Sequence, residues 1–152
     1  MADTARELAS DLAQAACQLL EFQKMTKRMP HINSVRINAT SFYLREEGEG
    51  IEVTCRIAEQ YYNRKGEQVT LGHEGQIDAL RTWAHKLGSE LHLGDAKPDK
   101  YASKPGIHHR SLETTATLPS GLRVCVYTSL EYDADAPEYH GRPATEPAIA
   151  AA

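Results

Sequence analysis

With 152 residues, 41% of them hydrophobic and 25% charged, the chain has the size and make-up of one globular domain. Its 21 acidic residues outnumber 17 basic ones, and a net charge of −4 argues against a protein that coats DNA. Three cysteines without a Cys-x-x-Cys pair exclude a disulfide scaffold and a cysteine zinc finger. No apolar run is long enough to span a bilayer, and Met1-Ala2-Asp3-Thr4 does not start a secretory leader, so a cytoplasmic location and no membrane partner are expected.

A helix is expected over 5–28. Thr4 and Glu7 make a capping box, Leu8, Leu12, Ala15, Leu19 and Phe22 recur at helical spacing, and Pro30 stops the segment. Val35, Ile37, Ala39 and Tyr43 then alternate with polar residues, Glu47-Gly48-Glu49-Gly50 reads as a turn, and Ile51, Val53, Cys55 and Ile57 form the clearest period-two strand. Asn63-Arg64-Lys65-Gly66 is a second turn, after which Val69 and Leu71 suit a short strand. Ile77, Leu80, Ala84, Leu87 and Leu91, flanked by Trp83, predict a second helix over 74–93 that ends at Gly94. Residues 95–106 read as a loop. Leu112, Thr114, Ala116 and Leu118, then Pro119-Ser120-Gly121, then Leu122, Val124, Val126 and Leu130 read as a hairpin. The order α-β-β-β-α-β-β predicts a single two-layer α+β domain over 1–132, with about five antiparallel strands covered by two helices. The Ala/Pro-rich stretch 133–152 is expected to be a disordered tail.

The first helix has more apolar circumference than one neighbour covers. At 100° per residue, Ala5, Ala9, Ala13, Ala16, Cys17 and Leu20 widen the apolar arc well past the leucine stripe, leaving Glu7, Asp11, Gln14, Gln18 and Glu21 as a narrow polar face. Ala9, Ala13, Ala16, Cys17 and Leu20 are therefore the candidate dimer or partner interface, and a two-fold homodimer is the expected form. Because alanine is also the best helix former, propensity alone accounts for part of this pattern.

Candidate chemistry is sparse. His85 and His92 fall near one azimuth but about two turns apart, too far for one zinc, and the adjacent His108 and His109 point to opposite faces of a strand. Cys55 lies on its strand's apolar side and is expected to be buried and inert. Cys125 shares a face with Arg123, a cation able to lower a thiol pKa, but the leading expectation for it is an ordinary structural cysteine. Glu46, Glu47, Glu49 and Glu52 cluster at a turn, without the fixed cleft that paired-carboxylate chemistry needs. No catalytic residue, metal ligand set or cofactor is assigned. Lys97, Lys100, Tyr101, Lys104 and Arg110 concentrate positive charge around a ring, a candidate anion or nucleic-acid site. The α-β-β-β-α opening has the element order of double-stranded RNA-binding domains. However, the second helix starts His73-Glu74-Gly75-Gln76, without their lysine cluster.

The complete element order, the size and the mild acidity are similar to those of small dimeric secretion chaperones, a likeness of topology that carries over no residue. The leading expectation is a non-enzymatic, homodimeric binding or adaptor protein that acts on another protein. The alternatives are a nucleic-acid accessory protein using the basic 97–110 loop and a small metal-dependent hydrolase built on His85, His92, His108 or His109.

Overall fold

The computed structural model describes residues 2–39, 51–95, 97–98, 106–133, 138–139 and 142–143. Helix α1 spans Ala2–Met25 and is followed by β1 (Ser34–Ala39) and β2 (Ile51–Arg56). A short hairpin, β3 (Gln60–Tyr62) and β4 (Gln68–Thr70), leads into α2 (Gly72–Leu87). The two-residue strands β5 (His92–Leu93) and β6 (Lys97–Pro98) precede the long pair β7 (Ile107–Thr117) and β8 (Arg123–Asp133). Within the stretch read as a tail, β9 (Glu138–Tyr139) pairs with β10 (Arg142–Pro143). No helix among the described residues is long and apolar enough to cross a membrane.

The fold is α+β, and its main sheet is mixed. Strand order is β1-β2-β8-β7-β5, with β6 also on β7. The expectation of an all-antiparallel sheet fails at one seam, where β2 and β8 run parallel, Val53 beside Val124 and Cys55 beside Val126. Short turns enforce antiparallel pairing only between consecutive strands. The connection after β2 carries α2 and sets β7 two places away, and the returning arm of the β7–β8 hairpin fills the gap in β2's own direction. That hairpin turns at the anticipated Pro119-Ser120-Gly121: Gly121 has φ 90°, and the Leu118 N–H donates to the Leu122 carbonyl.

Inward residues of β2, β7 and β8 meet both helices in one core. Val53, Cys55, Ile57, Leu80, Trp83, Leu112, Leu122, Val126 and Leu130 are completely enclosed there. Trp83 stacks on Phe22 with ring centroids 6.3 Å apart, and its indole N–H donates to the Pro30 carbonyl at 3.4 Å, so α2 anchors both α1 and the segment that leaves it.

Helix α1 runs from Ala2 to Met25 rather than over 5–28, so Thr4 lies inside the helix and not at its start. Three further local expectations differ. Val69 lies in a hairpin off the main sheet, paired with Tyr61, and Leu71 is the residue preceding α2. The strand β3 was not anticipated because Gln60, Tyr61 and Tyr62 show no apolar alternation. Third, α2 stops at Leu87, six residues before the expected end at 93. Gly88 takes a left-handed φ of 65°, the Ser89 N–H bonds to the Ala84 carbonyl and the Gly88 N–H to that of His85, which completes a Schellman closure. Leu91 and Leu93 still pack on the core, but from extended chain. No atom lies within 4 Å of a Cβ placed on Gly88, so Gly88→Ala tests backbone conformation alone. It is expected to lower unfolding free energy by about 1 kcal/mol in urea titrations.

Candidate functional site

The rotation of α1 about its axis decides which of its faces remains uncovered. Ala15, Gln18 and Phe22 are buried, although Gln18 belongs by pattern to the polar face. The carboxamide N–H of Gln18 donates to the Ser120 carbonyl at 2.8 Å, and the Ser120 hydroxyl donates to the Glu21 carboxylate at 3.1 Å. These bonds pin α1 to the tip of the β7–β8 hairpin. They turn its buried face by roughly 50° from the leucine stripe, taking 100° per residue. Leu12, expected inside, is consequently 52% exposed. Ala9, Ala13, Ala16 and Cys17 are exposed, and Leu20 is 54% exposed.

A second uncovered apolar surface lies on β1. Val35 pairs with Cys55 and Ile37 with Val53, so all four side chains point to the helix side of the sheet. The β2 members are fully buried, yet Val35 is 52% and Ile37 54% exposed. The helical layer thus ends over β2. Of the five large hydrophobic residues exposed among the described residues, Leu12, Leu20, Val35 and Ile37 belong to α1 and β1, and Tyr62 is the fifth.

Comparison with known proteins finds no family model and no curated sequence that matches the chain. The chemistry of its surfaces therefore has to speak for itself.

The basic loop is not gathered into a site by the described residues. Lys97 is exposed on β6 opposite His109. Arg110 is half-buried and its Nε donates to the Gly94 carbonyl at 2.8 Å, an architectural bond that ties the loop to β7. Lys100, Tyr101 and Lys104 lie outside the described residues. The histidines are dispersed. His85 is exposed on α2, His92 is exposed opposite Glu113, and His108 and His109 follow one another on β7. Among the described residues no group of three or more His, Cys, Asp or Glu side chains could hold a metal ion. Of the acidic cluster, Glu52 lies 3.7 Å from Arg123 on the outer face of the sheet, while Glu46, Glu47 and Glu49 lie outside the described residues.

Cys55 and Cys125 are held in their neutral form. Burial, and then the nearby Cys125, push Cys55 up to about 12. Cys125 lies on the Arg123 face as expected, but its pKa is not lowered: burial, then the carboxylates of Glu113 and Glu52, push it up to about 11. Glu52 also lies 3.7 Å from Arg123, which partly neutralises the cation on that face. A thiol ionises near 9.0 when unfolded, so above that pH the unfolded chain loses protons that folded Cys55 and Cys125 retain. The stability present below pH 9 is thus expected to drain as pH rises toward 11 and 12. Urea midpoints measured from pH 8 to pH 10.5 should fall, and Cys55→Val should flatten that fall.

Gln76 is the polar residue that sequence reasoning passed over. It is 2% exposed, at the point where β2 leaves the sheet. The Ile57 N–H reaches the Tyr127 carbonyl, and two residues further along β8 the Gln76 carboxamide donates to the Ser129 carbonyl at 3.1 Å. It also donates to the Thr128 hydroxyl at 2.7 Å, which donates to the Ile57 carbonyl at 2.6 Å. Among the described residues nothing donates to the Gln76 carbonyl oxygen, so the network serves the fold on its donor side. Arg56, Glu59, His109, Ser129 and Glu131 surround the shallow cleft beside it.

Proposed function

We propose that this chain is a non-enzymatic binding protein that works as a homodimer and engages another protein. The observation that carries the reading is that, of the five large apolar side chains exposed among the described residues, two belong to α1 and two to β1. Taking Leu12, Leu20, Val35 and Ile37 out of water is a favourable driving force that a lone chain forgoes. Ala9, Ala13 and Ala16 run along the same face of α1 as Leu20 and let a neighbouring backbone come close. A cytoplasmic setting fits the three free thiols, of which Cys17 is the exposed one.

Cys17 is a built-in reporter for this interface. Its reaction with an aromatic disulfide reagent is expected to slow as protein concentration rises from low to high micromolar, because association covers that flank of α1. A rate constant independent of concentration over this range contradicts the proposal.

A further inference from the structure

We infer that two copies join edge to edge through β1, antiparallel, with the two-fold axis at Ile37; the inference rests on the homodimer reading above. The direction of the backbone groups comes first. The Ile57 N–H donates to the Tyr127 carbonyl, so odd-numbered residues of β2 turn their backbone groups toward β8 and even-numbered ones toward β1. Glu52, Thr54 and Arg56 face Asn38, Arg36 and Ser34 across the β1–β2 seam. The backbone N–H and C=O of Val35, Ile37 and Ala39 therefore point away from β2, to the outer edge of the sheet. Among the described residues no strand pairs with that edge, whereas β5 and β6 cover the opposite one.

A two-fold antiparallel ladder needs outward-pointing residues opposite one another. Axes that fall between two residues set an outward position against an inward one and make no ladder. An axis at Arg36 places the two guanidiniums directly opposite each other, where like charges repel. An axis at Ile37 pairs Ile37 with its copy, Val35 with position 39 and Arg36 with position 38. It keeps the apolar positions of both strands on the helix side and separates the arginines. An axis at Val35 or at position 38 engages only three residues of β1, against five for the axis at Ile37. The six residues of β1 carry no proline and one charge, so the edge lacks the usual guards against pairing. Strand pairing alone buries less than the roughly 800 Å² per partner of a stable interface, so the contact has to extend over the helix side of the sheet, where the exposed Val35 and Ile37 lie and where α1 packs.

Cross-linking reads the register directly. In a Cys17→Ser background, Ile37→Cys places the substituted position about 5.5 Å Cα to Cα from its copy, within disulfide range. Val35→Cys leaves the substituted positions four residues out of register, beyond that range. Mild oxidation is expected to convert Ile37→Cys, and not Val35→Cys, to a band of twice the chain mass that reductant reverses. Ile37→Pro keeps β1 on β2, because it removes an N–H that faces outward. It is expected to weaken self-association on the order of a hundredfold while thermal unfolding of the dilute protein stays near wild type. A wild-type dimer in which Ile37→Cys fails to cross-link, or Val35→Cys cross-links better, overturns the β1 register and leaves the homodimer reading standing. A wild-type monomer at high micromolar concentration overturns both.

Discussion

Trp83→Ala is expected to cost about 3–5 kcal/mol, the largest loss for any single side chain in this chain. Trp83 is fully enclosed, stacks on Phe22 and donates to the Pro30 carbonyl, so its removal opens a cavity where α2, α1 and the post-helix segment meet. Few other residues hold α1. Ala15 contributes little area, and Gln18 and Glu21 bind only the hairpin tip. Amide exchange should therefore show α1 losing protection before β7 and β8, whose register runs through eleven residue pairs from Ile107 to Thr117. Urea denaturation of Trp83→Ala gives the size of the effect, and Trp83→Phe, which preserves stacking and loses the indole N–H, is expected to recover more than half of it.

Gln76→Ala is expected to cost up to about 3 kcal/mol, more than an ordinary surface-polar truncation, because it orphans buried partners. The Ser129 carbonyl loses the Gln76 donor, and the Thr128 hydroxyl is left with its bond to the Ile57 carbonyl alone. Gln76→Glu separates the effects of shape and donation. The isostere keeps the volume, but its ionised form places an acceptor against the Ser129 carbonyl. It should be destabilised above neutral pH and partly relieved on acidification, as urea midpoints at pH 5 and pH 8 would show.

Much of this architecture was written in local pattern. The alternation of Ile51, Val53, Cys55 and Ile57 marks β2 because one face is buried and the other half-exposed. The turn at Pro119-Ser120-Gly121 sets the hairpin register. The parallel β2–β8 seam was not legible, because it joins segments about seventy residues apart and no short-range rule governs it. The end of α2 was misplaced because Leu91 continues the helical spacing beyond Gly88, and the backbone break at the glycine wins over periodicity. The rotation of α1 escaped for a different reason. A hydrophobic arc predicts which residues would gain from burial, whereas two hydrogen bonds to Ser120 decide which residues are buried. That rotation leaves Leu12 outside and makes the uncovered sector wider than the alanine pattern alone implied. On the site, Ala9, Ala13, Ala16, Cys17 and Leu20 do share an open face. The contribution of β1 was missed, since the alternation of Val35 and Ile37 resembles that of any strand with a covered inner face.

Sedimentation equilibrium of the purified chain from about 1 to 200 micromolar tests the central claim most directly. The account predicts a mass that climbs toward twice that of a single chain as concentration rises. A mass that stays at one chain throughout contradicts it.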